Sequence, residues 1–260
     1  MDWKKESEMF NNAAEYYDKY RPGYPSEIIN SIIEKTDLRS GAKLLEIGSG
    51  SGKATELFIN KGFEILCLDP GADLVNIGNK KFNGKNVKFE TARFEEYMLP
   101  ANHFDTIFSA QAFHWIPQPI GFQKCFHTLK INGYLALFWN MYIIYDNNMD
   151  NDLLKISNKY GGFADFLSKN ECEERINSIN FQLKNSGLFE EPMIIRSLWK
   201  KTYTADEYYG FTLTGNRFIQ KSNDEKQAAY HDLTKLANQY NGYIERPYLC
   251  VLYLSRKNKS

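Results

Sequence analysis

No excess of charge of either sign marks this chain: 32 basic side chains stand against 32 acidic ones in 260 residues. A broad nucleic-acid footprint normally rests on a basic surplus, so no nucleic-acid partner is expected. Cysteine is sparse, at Cys67, Cys125, Cys172 and Cys250, and no two have the spacing of metal ligands. The four histidines form no cluster with cysteine or aspartate, and no metal site is expected. Cys67 in "FEILCLD" and Cys250 in "YLCVLYL" sit in apolar runs, which reads as buried, reduced thiols and a cytoplasmic setting. "MDWKKESEMF" has no apolar core of a secretory leader. The longest apolar stretch, "YLALFWNMYIIY", is too short and interrupted to span a bilayer. No repeat or low-complexity tract appears.

What the chain does have is alternation. "PSEIINSIIEKT" spaces Ile28, Ile29, Ile32 and Ile33 as one helix face, with Ser26 as the expected N-cap. "AKLLEIG" reads as a buried strand, "KATELFINKG" as a helix closed by Gly62, and "FEILCLD" as the next strand. "ADLVNIGNKKF" is helical, "VKFETARF" opens as a strand and "FDTIFSAQ" is another. "PIGFQKCFHTLKING" reads as a helix stopped by Gly133, and "GYLALFW" as a strand. This order predicts an α/β fold, a parallel sheet with helices on both faces. The strand signal lapses over 142–189, where an inserted helical cap is expected, and resumes with "EPMIIRSLWKKTYT" and "PYLCVLYLSRK". One domain is expected over 1–260, with residues 1–25 as an N-terminal lid segment. Aromatics make up 15% of the chain. Those of "YGGFADFLSKN" and "EYYGFTLTGNRF", among them Phe163, Phe166, Tyr208, Tyr209 and Phe211, either line an acceptor pocket or form the cap's own small core.

The stretch "EIGSGSGKAT" is the chemical centre of the sequence. A triphosphate-binding loop needs a glycine where Ile47 stands and a hydroxyl where Ala54 stands. The dinucleotide fingerprint matches at Gly48 and Gly50, but Lys53 occupies its third glycine position. What remains is Glu46 followed by Gly48, Gly50 and Gly52. Glycines let the backbone turn sharply and approach a ligand without Cβ obstruction. The Glu46 carboxylate suits a cationic ligand group. Asp69 ends the second strand, roughly 20 residues past Gly48, where an acid accepts ribose hydroxyls in a dinucleotide or in another nucleoside ligand. It also sits where a residue caps the following helix.

These residues resemble the first motifs of the class I S-adenosylmethionine methyltransferases. "TARFEEYMLPANHFDTIFSAQAFHWI" extends the resemblance, with Phe94-Glu95, Leu99-Pro100 and Phe104-Asp105 matching and "SAQAFHW" similar to the small-molecule subgroup that includes trans-aconitate methyltransferases. The resemblance implies a Rossmann-like doubly wound sheet, mostly parallel and seven-stranded, with an antiparallel last strand. It implies S-adenosyl-L-methionine as cofactor, S-adenosyl-L-homocysteine as product, and a small-molecule acceptor, a carboxylic acid among the candidates, for a monomer or homodimer. Cofactor contacts are implied at Tyr17, Arg21, Glu46, Gly48, Ser49, Gly50, Asp69, Pro70, Arg93, Phe94, Ala110 and Gln111. Arg21 is the candidate for the methionine carboxylate. Arg93 stands where the family often has an acid bonding the adenine amino group. His114 is the candidate base, with Trp115 beside it as an acceptor wall. The amide-rich loop of base-methylating relatives is absent after "FDTIF". Two further readings stand beside this one, a non-catalytic binder of the same cofactor and an NAD-dependent oxidoreductase.

Overall fold

The computed structural model describes residues 14–145, 147–163 and 166–259. The first half of the expected lid segment, residues 1–13, therefore lies outside the described residues. Strands β1 (Lys43–Ile47), β2 (Glu64–Asp69), β3 (Val87–Thr91), β4 (Phe104–Ala110), β5 (Leu129–Tyr142), β6 (Met193–Tyr203) and β7 (Ile244–Arg256) form one sheet in the order β3-β2-β1-β4-β5-β7-β6. The first five run parallel. β7 inserts between β5 and β6, antiparallel to both. The crossing from β3 back past β1 to β4 leaves a crevice at the carboxyl edge, the usual place for a ligand in such sheets.

Both faces of the sheet are buried, which is why its central strands read as nearly continuous apolar runs. Leu45 and Ile47 of β1, Leu135 and Leu137 of β5, and Val251 of β7 pack one way. They meet Phe122 and Cys125 of α4 (Ile120–Thr128) and Cys172, Ile176 and Leu183 of α6 (Lys169–Asn185). Leu44, Phe108, Phe138 and Leu252 pack the other way. They meet Ile28, Ile29 and Ile32 of α2 (Ser26–Lys35) and Val75 of α3 (Ala72–Lys81). A short helix α1 (Ala14–Tyr20) precedes α2.

Four local expectations are corrected. Ser26 is the first residue of α2, and Pro25 is its N-cap, without a side-chain bond. "KATELFINKG" forms only a 3₁₀ turn at Thr55–Leu57. There Leu57 N–H bonds Ala54 O at 3.1 Å and Phe58 N–H bonds Thr55 O at 2.9 Å, and Asn60 already turns to φ 62. Thr, Phe, Ile and Asn are weak helix formers, and this segment has all four. α4 ends at Thr128 with β5 following at once, so Gly133 lies inside a strand, with Asp105 O at 3.0 Å from where its Cβ would stand. Lastly, the 142–189 excursion divides. α6 packs under the main sheet, whereas α5 (Asn148–Lys159) joins α7 (Ala205–Thr212), α8 (Asn216–Ile219) and α9 (Asn223–Gln239) around Tyr203 and Tyr248, near the opposite ends of β6 and β7.

Candidate active site

A cavity of about 250 Å³ opens at the carboxyl edge, over the ends of β1, β2, β4 and β5. Its floor is the glycine turn after β1. Gly48 takes φ 67, and a Cβ there would lie 2.2 Å from Ala112 Cβ. Gly52 takes φ 87, and its Cβ would lie 2.4 Å from the Phe82 ring. Only glycine meets both demands, a left-handed backbone and no side chain. The turn is tied to β2, since Gly48 and Ser49 N–H both bond Leu68 O, at 2.8 and 3.1 Å.

Asp69 stands in the cavity wall, beside Pro70. Its Oδ2 accepts from Gly50 N–H and its Oδ1 from Gly71 N–H, each at 2.8 Å. Burial pushes its pKa up to about 6, and the two amides hold it back from rising further. Each oxygen keeps a second lone pair for a ligand donor. The carboxylate thus fastens the loop and faces the cavity at once.

Glu46 departs from expectation. It is not among the cavity-lining residues. Strand alternation turns it to the α2–α3 side of the sheet, where it accepts from Thr55 Oγ1 and lies 3.7 Å from Cys67 Sγ. Burial pushes its pKa up to about 8, which favours the protonated acid in this place. Ser49 is also outside the lining; its buried Oγ has no hydrogen-bond partner among the described residues.

Beyond β3 the wall is Arg93, Phe94 and Glu95. Phe94 is buried, and Lys124 Nζ lies over its ring at 5.2 Å. Glu95 was not expected in the site beyond its place in a matching dipeptide. Its Oε1 is buried without a hydrogen-bond partner among the described residues. A buried orphan carboxylate oxygen calls for a donor, and a ligand amino group would supply it.

The far wall comes from the segment after β4. Gln111 takes φ 58, its N–H bonding Phe138 O at 3.0 Å and its Oε1 accepting from Asn140 N–H at 2.6 Å. This kink swings Ala112, His114 and Trp115 over the cavity. His114 Nδ1 accepts from Trp139 Nε1–H at 3.2 Å. An indole only donates, so Nδ1 carries no proton and the neutral ring holds its proton on Nε2. His114 lines the cavity and remains open to it. Burial first, and the nearby Arg175 charge second, bring its pKa down to about 4. In this tautomer Nε2–H is the ring's hydrogen-bond donor.

The N-terminal strap closes one side. Tyr17 packs over Gly50, and a Cβ there would meet its ring at 3.4 Å. Burial raises the Tyr17 pKa, keeping the phenol neutral. Ser51 Oγ–H donates to Asp18 at 2.7 Å, and Asn140 Nδ2–H to Gly23 O at 2.9 Å. Arg21 reaches the cavity wall but donates to Thr214 O at 2.9 Å and Tyr142 Oη at 3.3 Å, so its guanidinium braces the strap against the helical layer. Arg175 of α6, which sequence reasoning did not single out, lines the cavity from below. Of the lid aromatics, Phe163, Tyr208 and Phe211 are buried in the helical layer's own core, with Phe166 and Tyr209 packed on it. None lines the cavity.

Among the described residues, no group of histidine, cysteine, aspartate and glutamate could hold a metal ion, and no helix is long and apolar enough to cross a membrane. Residues 45–137 match the family described as methyltransferase domain. An uncharacterized methyltransferase of Schizosaccharomyces pombe is 31% identical over 126 residues, covering 48% of this chain and 49% of its own. The chain spans about half the length of the curated relatives it matches. Among solved structures, Bacillus subtilis YcgJ is 14% identical with a TM-score of 0.54, covering 91% of this chain and 100% of its own. Haemonchus contortus phosphoethanolamine N-methyltransferase 2, solved with phosphomonomethylethanolamine and S-adenosylhomocysteine, has a TM-score of 0.55 at 14% identity, covering 99% of this chain and 60% of its own. At such identities the structural likeness is one of fold.

Proposed function

We propose that this protein is an S-adenosylmethionine-dependent methyltransferase acting on a small-molecule acceptor. The observation that carries the reading is the cavity over the glycine turn, with Asp69 and Glu95 on its walls, in a chain whose residues 45–137 match a methyltransferase domain. The residues present fit the cofactor. Gly48 and Gly50 leave room for backbone approach, Asp69 has lone pairs for the ribose hydroxyls, and the orphan Glu95 Oε1 suits the adenine amino group that Arg93 could not bond. Phe94 offers an apolar surface to the base, and Tyr17 and Arg21 bound the pocket where the strap covers it. When bound, the cofactor supplies a methyl group on a cationic sulfur that departs as a neutral thioether.

The chain's own contribution is then positioning and exclusion of water. His114 orients an acceptor through Nε2–H and takes up no proton near neutrality. That favours an acceptor that is already a nucleophile, and a carboxylic acid, ionised at pH 7, is the class this reading prefers. The modest cavity and the absence of a basic excess favour a small solute over a macromolecule. Four buried, reduced cysteines fit a cytosolic setting.

Calorimetry with S-adenosylhomocysteine tests it. Wild-type protein is expected to bind and to gain about 2.7 kcal/mol of stability at a hundredfold excess over Kd. Gly48→Val, which drives a side chain into Ala112, is expected to lose that binding while remaining folded by circular dichroism. Heat from NADH but none from S-adenosylhomocysteine would replace this reading with an oxidoreductase.

A further inference from the structure

We propose that Arg175 is the acceptor-recognition residue, and that the acceptor presents to it an anionic group, held jointly by the guanidinium and His114 Nε2–H; this rests on the methyltransferase reading above. Arg175 stands in the second turn of α6 and lines the cavity with His114, Trp115 and Trp139. No hydrogen bond or ion pair among the described residues engages its guanidinium. Two acids near it on α6 are committed elsewhere. Glu171 closes the capping box with Ser168, and Glu173 bonds Arg196 at 3.1 Å. The Arg175 charge is felt at His114, which sets the guanidinium near the imidazole at this end of the cavity.

The other charged walls are accounted for differently. Asp69 bonds two backbone amides, and Arg21 bonds Thr214 O and Tyr142 Oη. Arg93, at the β3 wall, has an interaction of its own, and Arg175 faces the aromatic end of the cavity with no counter-ion among the described residues. A guanidinium in such surroundings favours a ligand that brings the missing negative charge, and its planar fork matches a carboxylate in two parallel bonds. His114 adds a third donor because Trp139 holds its other nitrogen. A cationic acceptor would set a second positive charge against Arg175, and a neutral one would leave its planar fork without a carboxylate to match.

The test uses full-length wild type, Arg175→Gln and Arg175→Lys with methyl-labelled S-adenosylmethionine. The acceptor source is a small-molecule extract split on a strong anion-exchange resin into retained and unretained pools. The retained pool is expected to take up label. Arg175→Gln is expected to lose about tenfold or more of that transfer through a raised KM, Arg175→Lys to keep part of it, and both to bind S-adenosylhomocysteine as wild type does. Label confined to the unretained pool overturns the anionic acceptor. Undiminished transfer by Arg175→Gln overturns the residue's role. Weakened S-adenosylhomocysteine binding by that variant also overturns it, assigning Arg175 to the cofactor's carboxylate instead. Cofactor binding with no transfer to either pool counts against the proposal as well. Wild-type protein that binds no S-adenosylhomocysteine at all marks failure of the parent reading, a result distinct from the others.

Discussion

Three carboxylates around the glycine turn illustrate how burial and partners, not residue type, set a role. Asp69 is buried yet satisfied by Gly50 and Gly71 amides, and burial still lifts it to about 6. Glu95 keeps one oxygen without a partner at the cavity. Glu46 is buried beneath the turn and holds its proton to about pH 8. An unfolded glutamate releases that proton near 4.5, so between these values the folded chain binds more protons than the unfolded one. Its contribution to stability therefore falls as pH rises, by up to about 1.4 kcal/mol per pH unit. Glu46→Gln removes the titration while keeping an acceptor for Thr55. Its stability relative to wild type is expected to match at pH 4, to grow steadily to pH 8 and to level off above, in urea unfolding at a series of pH values. A difference independent of pH would mean that Glu46 is ionised in the folded protein.

At the scale of elements, α6 is the most consequential piece. It seals one face of the sheet with Cys172, Ile176 and Leu183 and carries Arg175 into the cavity. Its start is set by a capping box: Ser168 Oγ accepts from Glu171 N–H at 3.3 Å, and Glu171 Oε2 accepts from Ser168 N–H at 2.8 Å. Ser168→Ala is expected to cost about 1 kcal/mol, a drop of about 2–4 °C in Tm, with an unchanged denaturant slope. No loss would mean that packing alone holds the helix end. The helix itself was legible, since "ECEERINSINFQLKNSG" has the right period. Its place under the sheet was not, because period 3.6 tells that a face is buried and not against what. The 3₁₀ turn at Thr55–Leu57 failed differently, because a pattern compatible with a helix lost to weak helix formers and to the pull of Glu46 on Thr55.

At the scale of the molecule, two parts are joined, the doubly wound sheet and the helical layer of α5 and α7–α9. One tie is the buried ion pair of Arg246 on β7 with Asp150 on α5, at 2.5 Å, with Arg246 also over the Phe166 ring at 4.7 Å. Removing one partner strands a charge away from water. Arg246→Met is expected to destabilise by about 3–5 kcal/mol, and adding Asp150→Asn to restore part of it, both by urea unfolding. If the double variant is as unstable as the sum of the singles, the pair is not coupled. The second tie is Arg21, which links the strap over the cavity to Thr214. Closure of the site and attachment of the helical layer thus share a residue.

What the amino-acid sequence determined by itself is what local physics decides. Strand positions follow from short apolar runs and helix positions from a period of 3.6, and the turn after β1 follows from glycines whose φ values of 67, 55 and 87 other residues resist. Tertiary structure alone decided the direction of each chemical group. Glu46 and Ile47 are neighbours in sequence and face opposite sides of the sheet. The proton on His114 is assigned by Trp139, 25 positions away, and Arg175 reaches the same wall from a helix on the sheet's underside. Those outcomes depend on contacts between segments far apart in the chain, which no local pattern encodes.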